Sequence, residues 1–236
     1  MNRTAFFTLH RDLPREGPGL PDDVMWALSR IDTLPKTVLD AACGPGADTE
    51  TLARVLPDAR IDAVDKQSHF VEAAAARTAE FGDRVRVWQG DMAQVSGPYD
   101  MIWCAGAVYF LGIQEALRIW APVLNKGGYI AFSEPYLPEW AGPAAKTFWD
   151  DYPSITDAKT IRNLVKDAGY QTIATRLIRG EAWEAYYGPI EERIASLRTN
   201  GVSAAVEEVC QAAEAEIDAW RAATDDIAYL GVLVRL

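Results

Sequence analysis

Asp40 and Asp65 each follow a short apolar run, Asp91 follows the stretch RVRVWQG, and a turn containing Gly44 and Gly46 comes shortly after Asp40. Glycine has no Cβ and tolerates positive φ, so such a turn lets a ligand approach the backbone closely. The helix that follows offers unpaired N–H groups to a polar ligand. Asp65 lies 19 residues after Gly46, a spacing that suits a carboxylate accepting hydrogen bonds from both hydroxyls of a ribose. The cluster predicts a site for a ribose-bearing ligand.

Each of these acidic residues also has a structural alternative. Asp40 could tie up the N–H groups of the turn, Asp65 could cap a helix, and Asp91 could cap a helix or form an Asx turn. A diphosphate would find little positive charge near this turn. A ligand with a ribose and a cationic centre fits the acidic site better. Cys43 and Cys104 are expected to pack in the floor of the site rather than to act as nucleophiles.

The elements that must position these residues alternate between short apolar strands and helices. We expect strands at 37–43, 60–65, 84–90, 99–105 and 129–133. This alternation indicates right-handed βαβ units and a parallel sheet. In an open parallel sheet, ligands bind beyond the carboxyl ends of the strands, where the strand order reverses. The aspartates and Cys104 would therefore meet at one edge of the sheet.

The C-terminal part departs from this rhythm. We expect one domain over 37–236, with cap insertions at about 136–156 and 180–224, a helix beginning at Pro189, and strands at 170–178 and 227–236. The last two strands flank the second insertion, and this arrangement suggests an antiparallel, hairpin-like edge.

Residues 1–36 precede this domain. Their first part is expected to be irregular, and a helix capped by Asp22 or Asp23 should follow. The irregular part is either a frayed tail or a lid, and Phe6 and Phe7 are apolar enough to favour the lid.

The composition excludes several functional classes. The 236 residues carry a formal net charge of -11 without a basic stripe, so nucleic-acid binding is not expected. Two histidines cannot form a histidine-rich metal site, and we expect no metal. The three widely spaced cysteines fit a reducing, cytoplasmic setting. No run of about 18 apolar residues occurs, so no membrane span is expected.

Four stretches together resemble the class I S-adenosylmethionine-dependent methyltransferases: VLDAACGPG, the AVD that ends the second strand, GDM after the third, and LNKGGYIAFSEP. Their order and spacing match this family over about 38–135. The resemblance implies an α/β, Rossmann-like seven-stranded sheet, mostly parallel with the last strand antiparallel, and helices on both faces. It also implies S-adenosylmethionine as the cofactor and S-adenosylhomocysteine as the product.

The resemblance assigns roles to individual residues. Gly44 and Gly46 would lie against the methionine part of the cofactor, Asp40 would face its amino group, and Asp65 would hold the ribose hydroxyls. The residues expected around the adenine are Lys66, Gln67, Asp91 and Met92, and those beside the reacting methyl group are Cys104 and Ala105.

The flanking stretches, among them LHRDLPREGPG and EAWEAYYGP, look like a subgroup of small-molecule methyltransferases. On this likeness Arg15 closes over the cofactor and pairs with its carboxylate. The alternative is that Arg15 anchors a surface turn. The residue after this arginine is commonly glutamine in the subgroup, whereas here it is Glu16.

Large aromatic residues could build the acceptor pocket, although each could equally belong to the core. The candidates are Trp103, Trp140, Trp149, Tyr152, Trp183, Tyr186 and Tyr187. Tyr109 and Glu134 are the polar groups best placed to orient an acceptor or to take a proton, as the catalytic candidates.

The leading hypothesis is therefore a methyltransferase that acts on a small molecule as a monomer or homodimer. The alternatives are an NAD(P)-dependent oxidoreductase and a non-catalytic S-adenosylmethionine-binding protein of the same fold. Against the oxidoreductase, Thr49 stands where its glycine motif has a third glycine.

Overall fold

The computed structural model describes residues 2–150, 152 and 154–236. The strands are β1 (Thr37–Ala41), β2 (Arg60–Asp65), β3 (Val85–Gln89), β4 (Tyr99–Cys104), β5 (Leu124–Tyr136), β6 (Gln171–Ile178) and β7 (Ala228–Arg235). The helices are α1 (Arg3–Leu9), α2 (Pro21–Leu28), α3 (Ala47–Val55), α4 (Ser68–Arg77), α5 (Ile113–Trp120), α6 (Pro143–Phe148), α7 (Ala158–Asp167), α8 (Glu181–Thr199) and α9 (Ala204–Arg221).

The strands form one sheet in the order β3-β2-β1-β4-β5-β7-β6. β7 runs antiparallel to both of its neighbours, whereas the pairs among β1 to β5 are parallel. The predicted seven-stranded, mostly parallel sheet with a reversed last strand is confirmed. The order reverses between β1 and β4, so their carboxyl ends open a crevice, as in other doubly wound sheets.

The side chains of the strands alternate between two buried layers, one on each face of the sheet. Leu39 and Ile102 join the layer that contains Leu117 of α5 and Ile161 of α7. Val38 and its neighbours on the other face join the layer that contains α2 and α3. Because successive side chains of a strand point to opposite faces, this division places helices on both sides of the sheet.

A third apolar cluster lies apart from the sheet layers. It joins buried side chains of α1, α6, α8 and α9, which we call the cap. The buried aromatic residues of this cluster are Trp149, Trp183, Tyr187 and Trp220. The cap gives the helices that follow β5 and β6 their own core.

The start of the chain differs from the irregular stretch that we expected. Residues Arg3–Leu9 form a helix because the Asn2 side chain accepts hydrogen bonds from the N–H groups of Thr4 and Ala5. Ala5 and Leu9 are buried against the cap. The next helix begins at Pro21, and Asp23 sits at its third position, accepting from Leu20 N–H, so neither predicted aspartate occupies the cap position.

Two elements run past prolines at which we expected boundaries. β5 continues through Pro135, which pairs with Tyr229 of β7 beyond the last pairing with β4 at Phe132. A proline there removes no hydrogen bond to a β4 partner. Helix α8 likewise continues through Pro189, and the residues buried on both sides of it, such as Trp183 and Ile194, offset the roughly 3 kcal/mol that a proline costs inside a helix.

Candidate functional site

The glycine turn between β1 and α3 is held in a conformation that side chains rarely adopt. Gly44 has φ +53° and Gly46 has φ +85°. A Cβ on Gly46 would lie 2.8 Å from the Cβ of Ala74 in α4, so a larger residue there would push the two helices apart. A Cβ on Gly44 would instead approach only the Glu16 side chain, with its Cγ 3.9 Å away. Gly46 therefore serves packing, and Gly44 leaves the backbone open to a ligand.

A cavity of about 570 Å³, here called the main cavity, opens at the carboxyl ends of β1, β2 and β4. Its lining contains most of the residues predicted to bind a cofactor, namely Arg15, Asp40, Gly44, Asp65, Lys66, Gln67, Asp91, Met92 and Ala105. Gly46 and Cys104 do not line it, and Cys104 is fully buried beneath the site. The volume is within the range of small-molecule sites.

Asp65 connects the end of β2 to the glycine turn. One carboxylate oxygen accepts a hydrogen bond from Gly44 N–H at 3.0 Å and the other from Gln67 N–H at 2.8 Å. Burial raises the pKa of Asp65, against the lowering effect of these two N–H groups. Each oxygen keeps a second lone pair that a ligand hydroxyl can use.

Asp40 lies deeper at the end of β1. Its Oδ2 accepts a hydrogen bond from the Thr49 hydroxyl at 2.5 Å, and the residue is almost wholly buried. Burial, followed by the nearby carboxylate of Asp48, raises the pKa of Asp40 to about 8. A cation placed beside it would favour the ionised form.

Asp91 and Lys66 form the outer rim of the main cavity. The Lys66 ammonium lies 3.0 Å from one Asp91 oxygen, and Ala93 N–H donates to the other at 2.9 Å. The Ala93 N–H, followed by Lys66, lowers the pKa of Asp91. Asp91 is thus an ionised acceptor at neutral pH.

Arg15 reaches the site from the segment between α1 and α2. Its Nη2 donates to Asp48 at 2.8 Å, and both side chains are largely buried. The other oxygen of Asp48 accepts from Trp103 Nε1 at 3.0 Å. Trp103 is buried in the layer that contains α2 and α3, and Asp48 holds Arg15 near the glycine turn.

Three groups of lining residues were not among the residues predicted to bind the cofactor or the acceptor. Asp48 was not singled out, although an acidic residue in the first turn of α3 is a known signal. Glu16 lines the cavity with one oxygen 2.7 Å from His10 Nδ1. Phe6 and Phe7 of α1 also line it, which is consistent with a lid. Whether α1 moves stays a prediction.

The two catalytic candidates lie at different depths. Tyr109 lines the main cavity, whereas Glu134 is buried behind it at the end of β5. Within the described part of the chain, Glu134 Oε2 has no hydrogen-bond partner. Burial raises the pKa of Glu134 to about 8, so this carboxyl group is largely protonated at neutral pH.

The aromatic residues predicted for an acceptor pocket do not line the main cavity. Trp149 and Trp183 are buried in the cap, with ring centroids 6.0 Å apart, and Tyr187 packs beside Trp183. Trp140 is 63% exposed. Tyr186 is packed against the cap, and Tyr152 forms an edge contact with Tyr109 at 5.3 Å, which makes it the candidate nearest to the cavity lining. Their role in acceptor binding stays a prediction.

Two further features bear on the site class. Across residues 2–150, 152 and 154–236, no helix is both long and apolar enough to cross a membrane. The same residues contain no cluster of three or more side chains able to hold a metal ion.

Comparisons with known proteins show similarity in sequence and in fold. Residues 38–128 match the family described as "Methyltransferase domain". A trans-aconitate 2-methyltransferase from Rhodococcus jostii is 36% identical over 46% of this chain and 42% of its own length. The enzyme of that name from Mycolicibacterium gilvum is 30% identical over 68% of this chain and 65% of its own. The chain thus spans less than two thirds of these curated relatives.

The fold comparison covers nearly the whole chain. The crystal structure of a methyltransferase from Geobacter sulfurreducens, solved with S-adenosylhomocysteine, superposes with a TM-score of 0.84 at 22% identity. The match covers 99% of this chain and 97% of that one. Residues 38–128 therefore form a methyltransferase domain, and the chain has the fold of an S-adenosylmethionine-dependent methyltransferase.

Proposed function

We propose that the protein transfers a methyl group from S-adenosylmethionine to a small-molecule acceptor. The observation that carries this proposal is the main cavity, whose lining contains Asp40, Asp65 and Asp91 together with the open backbone at Gly44. The cofactor supplies the electrophilic methyl group. The chain's own part is to hold the two reactants in line and away from water, which can supply much of the catalysis.

The binding roles follow from the contacts of each carboxylate. Asp65 keeps lone pairs on both oxygens for the two ribose hydroxyls. Asp91, ionised by its contacts with Lys66 and Ala93 N–H, is an acceptor for the adenine amino group. Asp40 is buried and accepts a hydrogen bond from Thr49 at Oδ2, and its remaining lone pairs are available to a cationic centre.

The charge of the main cavity limits the acceptor. Its acidic lining residues are Glu16, Asp40, Asp48, Asp65 and Asp91, and its basic ones are Arg15 and Lys66. Both bases already pair with acids of the site. A tricarboxylate such as trans-aconitate would find no unpaired basic side chain among the described lining residues, and an uncompensated charge is costly in a partly buried site. We therefore propose a neutral or cationic acceptor.

The apolar part of the cavity lining indicates that the acceptor also has an apolar portion. Phe6, Phe7, Phe110 and Leu111 face the main cavity. Tyr109 is the lining residue with a hydroxyl group beside them, and it would orient a polar group of the acceptor. An aromatic or aliphatic amine, phenol or alcohol would satisfy both surfaces.

The test begins with calorimetric titration of S-adenosylmethionine, S-adenosylhomocysteine and NAD. Micromolar binding of NAD alone would overturn the methyltransferase assignment. An acceptor screen, read out as released S-adenosylhomocysteine, should then favour amines, phenols and alcohols over trans-aconitate. Turnover of trans-aconitate as the best substrate would refute the acceptor class, and cofactor binding without turnover of any acceptor would favour a sensor.

We further propose a cytoplasmic location. The three cysteines are free and buried, which suits a reducing compartment. Whether the protein is a monomer or a homodimer remains a prediction to be tested by light scattering.

A further inference from the structure

One carboxylate oxygen of Glu16 has a hydrogen-bond partner, and the other has none in the described chain. Its Oε2 lies 2.7 Å from His10 Nδ1. Its Oε1 is buried and has no hydrogen-bond partner among residues 2–150, 152 and 154–236. Since buried polar groups are nearly always hydrogen-bonded, this oxygen needs a donor that a ligand can bring.

The surroundings hold this oxygen in place. His10 is buried and stacks on Phe6 of α1, with ring centroids 3.9 Å apart, so the histidine cannot easily swing away. Burial raises the pKa of Glu16, and the hydrogen bond from His10 opposes that effect. A cationic donor at Oε1 would be a charge-assisted partner and would also favour the ionised carboxylate.

The position of Glu16 indicates which donor it would meet. Its Cγ lies 3.9 Å from the place where a Cβ of Gly44 would stand, so Glu16 packs over the glycine turn. Asp40 also lines the cavity beside that turn, from the end of β1, and its Oδ2 is held by Thr49. An ammonium group carries three N–H donors and can bond two carboxylates at once.

We propose that Glu16 Oε1 accepts a hydrogen bond from the α-ammonium group of the cofactor's methionine portion, with His10 as the residue that positions it. This inference rests on the proposed function, because it requires S-adenosylmethionine to occupy the main cavity. It assigns Glu16 to cofactor recognition through its carboxylate group.

The test compares two ligands that differ in the amino-acid portion. S-adenosylhomocysteine carries the ammonium group, whereas 5′-methylthioadenosine shares the adenosine and sulfur but lacks it. Glu16→Gln should weaken S-adenosylhomocysteine about tenfold, as expected for the loss of one charged hydrogen bond. Binding of 5′-methylthioadenosine should change less than about twofold, which is within the scatter of small perturbations. Glu16→Ala should show the same selectivity more strongly.

Asp12→Asn is the matched control. Asp12 lies four residues earlier, is exposed, and has φ 64°, a region that asparagine also tolerates. The same carboxylate-to-amide change should leave both ligands unaffected. His10→Gln should weaken S-adenosylhomocysteine by a smaller factor than Glu16→Ala, again without an effect on 5′-methylthioadenosine.

The other outcomes separate the alternatives. Equal weakening of both ligands would place Glu16 on the ribose or show general disruption, and would overturn the inference. Unchanged binding of both ligands by the Glu16 variants would overturn it as well, with the proposed function intact. Failure of the unaltered protein to bind S-adenosylhomocysteine would refute the proposed function, and the inference with it. Melting temperatures of all variants distinguish misfolding from lost binding.

Discussion

At the carboxyl edge of the sheet, acidic side chains surround an open cavity, whereas in the cap large aromatic side chains fill one another's space. The acids at the edge keep lone pairs free. Each carboxylate oxygen of Asp65 accepts only one hydrogen bond, and one oxygen of Glu16 has no partner in the described chain. In the cap, Trp183 packs against Tyr187, Trp220 and Tyr229. The edge of the sheet leaves a cavity, and the cap is packed like a core.

The difference shows how residue type and position carry different information. A carboxylate at the end of a central parallel strand has its location set by the topology, because all such ends meet at one edge. An aromatic residue on a helix has no such constraint, since the same helical spacing serves a core or a pocket. Four experiments test this contrast, in order of decreasing effect.

The largest effect is expected for Trp183→Ala. The side chain is buried, and its Nε1 donates to Ile178 O at 3.2 Å, so truncation should lower the free energy of unfolding by about 3–5 kcal/mol. Denaturant titration measures this loss. Acceptor and cofactor affinities of the folded variant should stay close to those of the unaltered protein. A stable variant with a large rise in acceptor KM would instead make the cap a substrate pocket.

Asp65→Ala should weaken S-adenosylmethionine by about 100-fold, because two hydrogen bonds to a charged group are lost. The change also removes the acceptors of Gly44 N–H and Gln67 N–H, so stability must be measured alongside affinity. Asp65→Asn is the milder comparison. Calorimetry that finds full affinity in both variants would remove Asp65 from the site.

Asp40 should make cofactor binding depend on pH. With a pKa of about 8 in the free protein, this carboxyl group is mostly protonated at pH 7. A bound cation favours its ionised form, so binding should release a proton and affinity should rise as the pH increases from 6 to 8. Titrations at pH 7 in buffers of different ionisation enthalpy measure that proton.

The raised pKa of Asp40 has the opposite effect on the stability of the free protein, which falls as the pH rises. The folded state holds the proton of Asp40 while the unfolded chain loses it near pH 4, so stability from this group falls as the pH rises from about 4 to about 8. In Asp40→Asn, both the released proton and this loss of stability should be reduced. Equal proton release from the variant would assign the effect to another acid.

Trp140→Ala should have the smallest effect. The side chain is 63% exposed, and surface substitutions usually change stability by less than about 0.5 kcal/mol. It serves as a matched control for Trp183→Ala. A selective rise in acceptor KM would show that this exposed ring reaches the acceptor after all.

The sequence was sufficient for the sheet and for the acids at its edge. Hydrophobic alternation located all seven strands, and the strand ends brought Asp40, Asp65 and Asp91 to one cavity. The sequence did not predict the structure where a long-range contact overrides a local signal. Pro189 reads as a helix start, yet the cap core extends α8 on both sides of it. The role proposed for Glu16 could not be recognised either, since it depends on the fold bringing His10 and Gly44 beside this residue.

Helix α1 faces two ways, and this has a kinetic consequence. Ala5 and Leu9 are buried in the cap, while Phe6 and Phe7 line the main cavity and Arg3 donates to Gln67 at its rim at 3.1 Å. If α1 acts as the predicted lid, a ligand beneath Phe6 and Phe7 would leave only when this short helix separates from the cap. Its residence time is then set by a local opening of the chain. Slow product departure and slow hydrogen exchange at the amides of α1 would be two measurements of one event.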